Sequence, residues 1–501
     1  MKSIMVVGTT SHAGKSLLTA AICRILARNN WRVTPFKGQN MALNAYVTAN
    51  GGEIGYAQAL QAWAAGIHPL VEMNPILLKP QGDMTSQVIL KGKAVGKVSA
   101  ADYYEQYFDL GWRAIQESLQ YLQTEFDVIV CEGAGSPAEI NLKHRDLTNM
   151  RVAKYLNAAT LLVVDIDRGG AFAHVVGTLE LLEPEERALI RGVVINKFRG
   201  QRSILEPGIK WLEERTGIPV VGVIPWIEHV FPAEDSLDLL ERKSAKSQSE
   251  LNIAVIRLPR ISNFTDFDPL EAEPSVTVKY LSPKQDLGHP DAVIIPGSKT
   301  TIADLLVLQK TGMAQAIQNY AAAGGTVIGI CGGYQMLGKY LADPEGIEGD
   351  SGRFQGLGML PIQSVITGNK VARQRQVTSN FPQVGLPISG YEIHQGRSRV
   401  IESPNIKPDS YYPLFDDPGL GLVDSAQSVW GAYLHGLFDN GPWRRAWLNR
   451  LRQQRGLKSL PTGVANYRKQ REVLLNSLAN IVEAHLDLTL ILPDYKKNND
   501  N

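Results

Sequence analysis

Gly329-Ile330-Cys331-Gly332-Gly333-Tyr334-Gln335 sets a cysteine between a β-branched run, Thr326 to Ile330, and a helical pattern that starts at Gln335. A sharp strand-to-helix turn exposes the side chain at its apex, and the neighbouring glycines are needed because other side chains would crowd it. The helix N-terminus also favours a thiolate. A buried cysteine on its own is more often a small core residue, so the partner decides the reading. His435 ends another apolar run, Val429-Trp-Gly-Ala-Tyr-Leu-His435, far downstream. A Cys–His pair joined only by the fold is a common arrangement, with the histidine accepting the thiol proton and later donating it to a leaving group. Ile295-Pro296-Gly297-Ser298-Lys299 ends a third apolar run, where the backbone N–H groups of Gly297 and Ser298 could form an oxyanion hole. His394 is a rival base, although its strand-loop setting suits a structural hydrogen bond better.

A second chemistry sits at the other end of the chain. Gly8-Thr-Thr-Ser-His-Ala-Gly14-Lys15-Ser16 follows a strand pattern and opens a helical one, the context a phosphate-binding loop requires. Thr10 and Gly14 belong to the cradle, Lys15 would neutralise terminal phosphates, and the Ser16 hydroxyl would reach Mg2+. The loop departs from the usual spacing, because Thr9 stands where the first glycine is expected and the loop begins one residue earlier. Glu132, closing the apolar run Val128 to Cys131, is the first choice for a magnesium ligand, since ligands of open α/β sheets gather at the C-terminal ends of strands. Lys37, just after Val33 to Phe36, would sit at the same rim and could stabilise a transferring phosphoryl group. Asn196 closes Val193 to Ile195, where an asparagine can form a turn. Asp165 and Asp167 end Leu161 to Asp165 and could assist the metal. Arg168 could meet a phosphate or a substrate carboxylate, or form a loop salt bridge with those aspartates.

The elements that must position these groups alternate strand with helix, as a parallel sheet covered on both faces does. The strands expected in the first half are Ile4 to Val7, Val33 to Phe36, Val128 to Cys131, Leu161 to Asp165, Gly192 to Ile195 and Val220 to Ile224. A polar stretch without hydrophobic period follows, and a second α/β series then brings Ile253 to Ile256, Ala292 to Ile295 and Thr326 to Ile330. We expect two doubly wound α/β domains: residues 1–231, a linker at 232–250, and residues 251–445. Residues 446–501 would form a helical extension with a polar tail.

The composition fits small-molecule chemistry. Lys plus Arg total 51 against 50 Asp plus Glu, so a net charge of +1 gives no global field for nucleic acid or an anionic membrane. Three cysteines in unrelated contexts argue against a disulfide framework or a zinc site, and no run approaches the length of a membrane helix. A cytoplasmic location is expected.

The extended phosphate loop resembles that of dethiobiotin synthetase and its relatives, which use ATP to activate a carboxylate, and Asn196 looks like their adenine-reading asparagine. The three strand ends of the second half resemble the triad-type (class I, flavodoxin-like) glutamine amidotransferase domain. One departure matters: that class follows its histidine with Pro-Glu, whereas this chain has Gly436-Leu437, so its orienting carboxylate is expected to be missing. Pro35-Phe-Lys-Gly-Gln-Asn-Met41, Leu78-Lys-Pro-Gln-Gly-Asp-Met-Thr-Ser-Gln87, Glu132-Gly-Ala-Gly-Ser-Pro-Ala-Glu139, Asp167-Arg-Gly-Gly170, Asn196-Lys-Phe-Arg199, Gly390-Tyr-Glu-Ile-His394 and Leu434-His-Gly-Leu-Phe438 occur in this order. Together they resemble the cobyric acid synthase family, from about Lys2 to Asn440. The resemblance implies ATP, Mg2+, glutamine and a corrinoid as reactants, with amidation of carboxylates b, d, e and g of adenosylcobyrinic acid a,c-diamide. It also implies that the Leu78 segment and the Glu132 loop serve the ATP site. Two alternatives are an enzyme of the cobyrinic acid a,c-diamide synthase type and a partition-type ATPase carrying an inactive amidotransferase module.

Overall fold

The computed structural model describes residues 2–82, 84–227, 246, 249–349, 351–402 and 407–496. Most of the expected linker, and the end of the polar tail, lie outside the described residues.

Ile4, Met5, Val6 and Val7 are fully buried, as a strand covered on both faces must be. Successive side chains point to opposite faces, and the core divides accordingly. Ile4 and Val6 join a cluster with Ile22, Ile25 and Leu26 of the helix Lys15–Arg28. Met5 and Val7 join one with Ile115, Leu119 and Leu122 of the helix Ala100–Glu125. Around Lys2–Gly8 the six strands stand in the order Val220–Pro225, Ile190–Phe198, Ala159–Asp165, Lys2–Gly8, Val128–Glu132, Val33–Phe36, and every pairing is parallel. Each strand expected from the sequence in this half is present; Val33–Phe36 has the expected bounds and the others are longer by one to five residues.

The second half builds a seven-stranded sheet in the order Val276–Leu281, Leu251–Ile256, Ala292–Ile295, Thr326–Ile330, Val429–Ala432, Gly421–Asp424, Tyr411–Pro413. Its first five strands are parallel and the last two antiparallel. The strand that leads to Cys331 is central, flanked by the strands that lead to Gly297 and to His435.

Two features of the fold have no clear sequence signal. A long hairpin, Ile362–Thr378 with Pro387–Val400, reaches the first half, where Tyr391 and Ile393 pack with Ala45, Val47, Leu77 and Ile89. The C-terminal helix Tyr467–His485 returns to the first sheet, placing Leu475, Leu478 and Val482 in the same cluster as Ile22 and Leu26. Its Arg471 stacks 4.0 Å from the Trp63 ring and pairs with Asp439 of the second half at 3.6 Å.

Candidate active site

Cys331 caps the short helix Gly332–Met336 with φ 52° and ψ −107°, a conformation that costs an L-residue energy and persists only when its surroundings impose it. The imposing contacts are backbone. A side chain on Gly333 would overlap the Ile295 carbonyl, and one on Gly329 would lie 2.6 Å from the Gly333 carbonyl. The two strand ends therefore clamp the turn, and Cys331, only 6% exposed, lines a small pocket with Gln335, Lys370 and His435.

His435 is buried and lines the same cavity as Cys331, whose Sγ donates to Ile393 O at 3.6 Å. Its Nδ1 lies 2.7 Å from Asp266 Oδ2, and the other oxygen of that carboxylate accepts from Gly436 N at 2.9 Å. The expected absence of an orienting carboxylate is thus corrected: Asp266 supplies it from the 3-10 turn Phe264–Phe267, beyond the first strand of the second sheet. The sequence hides this, because the carboxylate does not follow the histidine as it does in the resembled class. The only local trace is a cluster of polar groups, Asn263, Thr265, Asp266 and Asp268, in a segment that folds as buried. Burial opposes the charged imidazole, but the Asp266 carboxylate and then the Cys331 sulfur outweigh it and raise the His435 pKa to about 10. At neutral pH the ring holds a proton ready for donation.

His394 is engaged at both ring nitrogens, by Gly396 O at 2.7 Å and Glu392 Oε2 at 3.1 Å, and it stacks on Tyr433. It is held as a structural ring, with no nitrogen left to serve Cys331.

The ladder orients the N–H groups of the two expected oxyanion donors differently. Ile261 pairs with Ser298 and Ser262 with Gly297 in an antiparallel bridge, and Lys299 N donates to Arg260 O at 3.0 Å. Hydrogen-bonded and non-hydrogen-bonded pairs alternate in such a ladder. Ser298 N–H therefore points away from it, while Gly297 turns its N–H toward Ser262. The Ser298 nitrogen faces the nucleophile turn, 3.0 Å from where a Gly332 Cβ would be.

The first half gathers its own group. Ser16 Oγ donates to Glu132 Oε1 at 2.8 Å, Lys37 Nζ to the same oxygen at 2.7 Å, and Gln61 Nε2 to Oε2 at 2.5 Å. Gln61 was not foreseen; its signal is a polar residue at a fully buried position of the apolar helix Tyr56–Ala64. Lys15 Nζ bridges Thr10 O at 3.1 Å and Gly135 O at 3.0 Å, closing the loop under the Glu132 turn. Gly14 has φ 97°, and any side chain there would strike the Asn196 amide, whose Nδ2 donates to Ala13 O at 2.8 Å. Asn196 thus packs directly on the loop. Asp165 stands apart from this group in its contacts: Lys197 lies 2.7 Å away and Arg168 3.6 Å, the salt-bridge alternative foreseen for that loop. Asp167 pairs with Arg199 at 3.6 Å.

The donor set suits a nucleoside triphosphate with a hard cation. A hydroxyl and a carboxylate beside a helix N-terminus are the oxygen ligands that Mg2+ takes together with phosphates. Among the described residues no cluster of three His, Cys, Asp or Glu could hold a metal.

The Leu78 segment, which the resemblance assigned to the ATP site, has contacts toward the second half. Lys79 lines the Cys331 cavity instead, and Gln87 faces Lys370 of the second half at 3.4 Å.

Comparisons with known proteins agree with both halves. Residues 4–239 match the CobQ/CobB/MinD/ParA nucleotide binding domain, and residues 252–443 the CobB/CobQ-like glutamine amidotransferase domain. The chain is 82% identical to a cobyric acid synthase of Nostoc punctiforme over 98% of its own length and 100% of that protein. It is 68% identical to a cobyric acid synthase of Trichodesmium erythraeum, with 98% and 100% covered. With a glutamine amidotransferase domain and a nucleotide-binding domain in one polypeptide, the chain belongs to the cobyric acid synthase family of amide-forming enzymes.

Proposed function

We propose that the chain makes adenosylcobyric acid by amidating the b, d, e and g carboxylates of adenosylcobyrinic acid a,c-diamide, with glutamine as nitrogen source and ATP as activator. The observation that carries this reading is the line Cys331–His435–Asp266, which has the parts of a glutamine-splitting nucleophile. Cys331 as thiolate attacks the side-chain amide carbon of glutamine. The Ser298 N–H, with the free N–H of Gly332 at the helix start, stabilises the oxyanion. His435 donates its proton to the departing nitrogen, releasing ammonia, and water then hydrolyses the thioester to glutamate.

In the other half, a substrate carboxylate oxygen attacks the terminal phosphorus of ATP, giving an acyl phosphate and ADP. Ammonia attacks the acyl carbon and phosphate leaves. Lys15 and Lys37 steady the phosphoryl charge, and Asn196 offers its Oδ1 to the adenine amino group. Ser16 and Glu132 would hold Mg2+, which supplies charge neutralisation on the phosphates. The intact cysteine line disfavours the reading as a partition ATPase with a spent module. We place the enzyme in the cytoplasm, and divide it at the segment 232–250. No described helix is long and apolar enough to cross a membrane.

Incubation with ATP, Mg2+, glutamine and cobyrinic acid a,c-diamide is expected to add four amides by mass. Cys331→Ala should abolish glutamine use and spare ammonia use. Fewer than four additions, or loss of both nitrogen sources in Cys331→Ala, would count against the assignment.

A further inference from the structure

The Cys331 cavity carries more charge than cysteine chemistry uses. Lys79 from the first half and Lys299 and Lys370 from the second line it together with Glu348. Two of the lysines are neutralised: buried Glu53 of the first half takes buried Lys79 at 2.5 Å on one oxygen and the partly exposed Lys370 on the other. Lys299 is different. It is only 9% exposed and lines the cavity, yet among the described residues its ammonium has no hydrogen-bond or ion-pair partner. Glu348 accepts long contacts, from Ile302 N at 3.3 Å and Thr301 Oγ1 at 3.4 Å, and has no ion pair among the described residues.

A buried unpaired ammonium is costly, and it is retained where a ligand completes it. Burial, followed by the neighbouring Lys370 and Lys79, lowers the Lys299 pKa; burial raises that of Glu348, against the pull of Lys299. Each group feels the other's charge, and among the described residues neither is held in an ion pair. The cavity offers one open cation and one open anion beside a thiol that acts on a side-chain amide, the complement of an amino acid zwitterion.

We propose that Lys299 receives the α-carboxylate of glutamine and Glu348 its α-ammonium, in a pocket whose cationic wall is completed by Lys79 from the ATP-binding half. This rests on the glutaminase reading of Cys331 and adds the recognition of the substrate's backbone end. Because Glu53 ties Lys79 to Lys370 across the two halves, the glutamine pocket is a composite of both.

The test uses the full chain. Lys299→Met should raise the KM for glutamine at least tenfold while ammonia-driven turnover, which bypasses the cavity, confirms the variant is folded. With L-glutaminamide, which lacks the α-carboxylate, the same substitution should change KM less than twofold. A glutamine KM within twofold of wild type, or an equal rise for both compounds, overturns the proposal. Should Lys299→Met not fold, Glu348→Gln is expected to raise the KM for glutamine and not for Nα-acetylglutamine; equal effects on both sink it. Cys331→Ala separates the two ideas: if that variant still hydrolyses glutamine the glutaminase reading fails, whereas if it is inert and Lys299→Met is normal only the present inference fails.

Discussion

Asp266 and His435 stand 169 positions apart in the chain and 2.7 Å apart in the fold. The carboxylate fixes the imidazole by one oxygen and the backbone after it, at Gly436, by the other, so ring and main chain are held together.

Asp266→Asn keeps the shape of this link and removes its charge. Glutamine-dependent turnover should fall by about 10²–10⁴-fold, the usual worth of a positioned acid–base group, with ammonia-dependent turnover intact. Steady-state kinetics with each nitrogen source check this; equal loss for both would point to a folding defect instead.

The same pair sets a pH dependence of stability. The His435 pKa is raised to about 10 in the folded chain, against roughly 6.5 unfolded. Its contribution is therefore fully present below about pH 6.5 and is lost as pH rises through about 10. Denaturant unfolding of wild type and Asp266→Asn should show a stability gap that narrows across this window. A gap that stays constant would mean the imidazole is not charged in the fold.

Lys37 and Glu132 form a buried pair at 2.7 Å. Removing one partner strands the other charge, so Lys37→Met should cost about 3–5 kcal/mol, and Lys37→Met with Glu132→Gln should recover part of it. A double-mutant cycle by urea unfolding measures the coupling. Both variants should lose amidation with either nitrogen source, because the activation step is common to the two.

Two glycines predict opposite outcomes. Gly333→Ala would drive a methyl into the Ile295 carbonyl, which belongs to a strand and cannot yield; a loss of about 3 kcal/mol is expected. Gly177 lies within the helix Ala171–Leu181 and a methyl there meets nothing, so Gly177→Ala should gain about 0.5–1 kcal/mol. Thermal unfolding of the two variants decides it.

Much of this was legible in one dimension. Strand ends are local: an apolar run closing in Glu132, Cys331, His435 or Ser298 announces both the strand and the rim on which its last residue sits, since open α/β sheets gather their ligands there. The phosphate loop is likewise contiguous, so the strand–loop–helix context of Lys15 and Ser16 could be read locally despite the altered spacing.

The remaining groups are decided by packing between segments far apart in the chain. Asp266 reaches His435 from a turn with no motif, and Gln61 reaches Glu132 from a helix whose pattern reads only as apolar. Lys79, in a segment that the resemblance assigned to the ATP site, reaches the cysteine cavity, where Glu53 pairs with it and with Lys370. Sequence determined which elements form and what stands at their ends, because period and turn chemistry act over a few residues. Tertiary structure decided which buried charges meet, because a carboxylate's partner is chosen by distance in space, and no spacing along the chain encodes it.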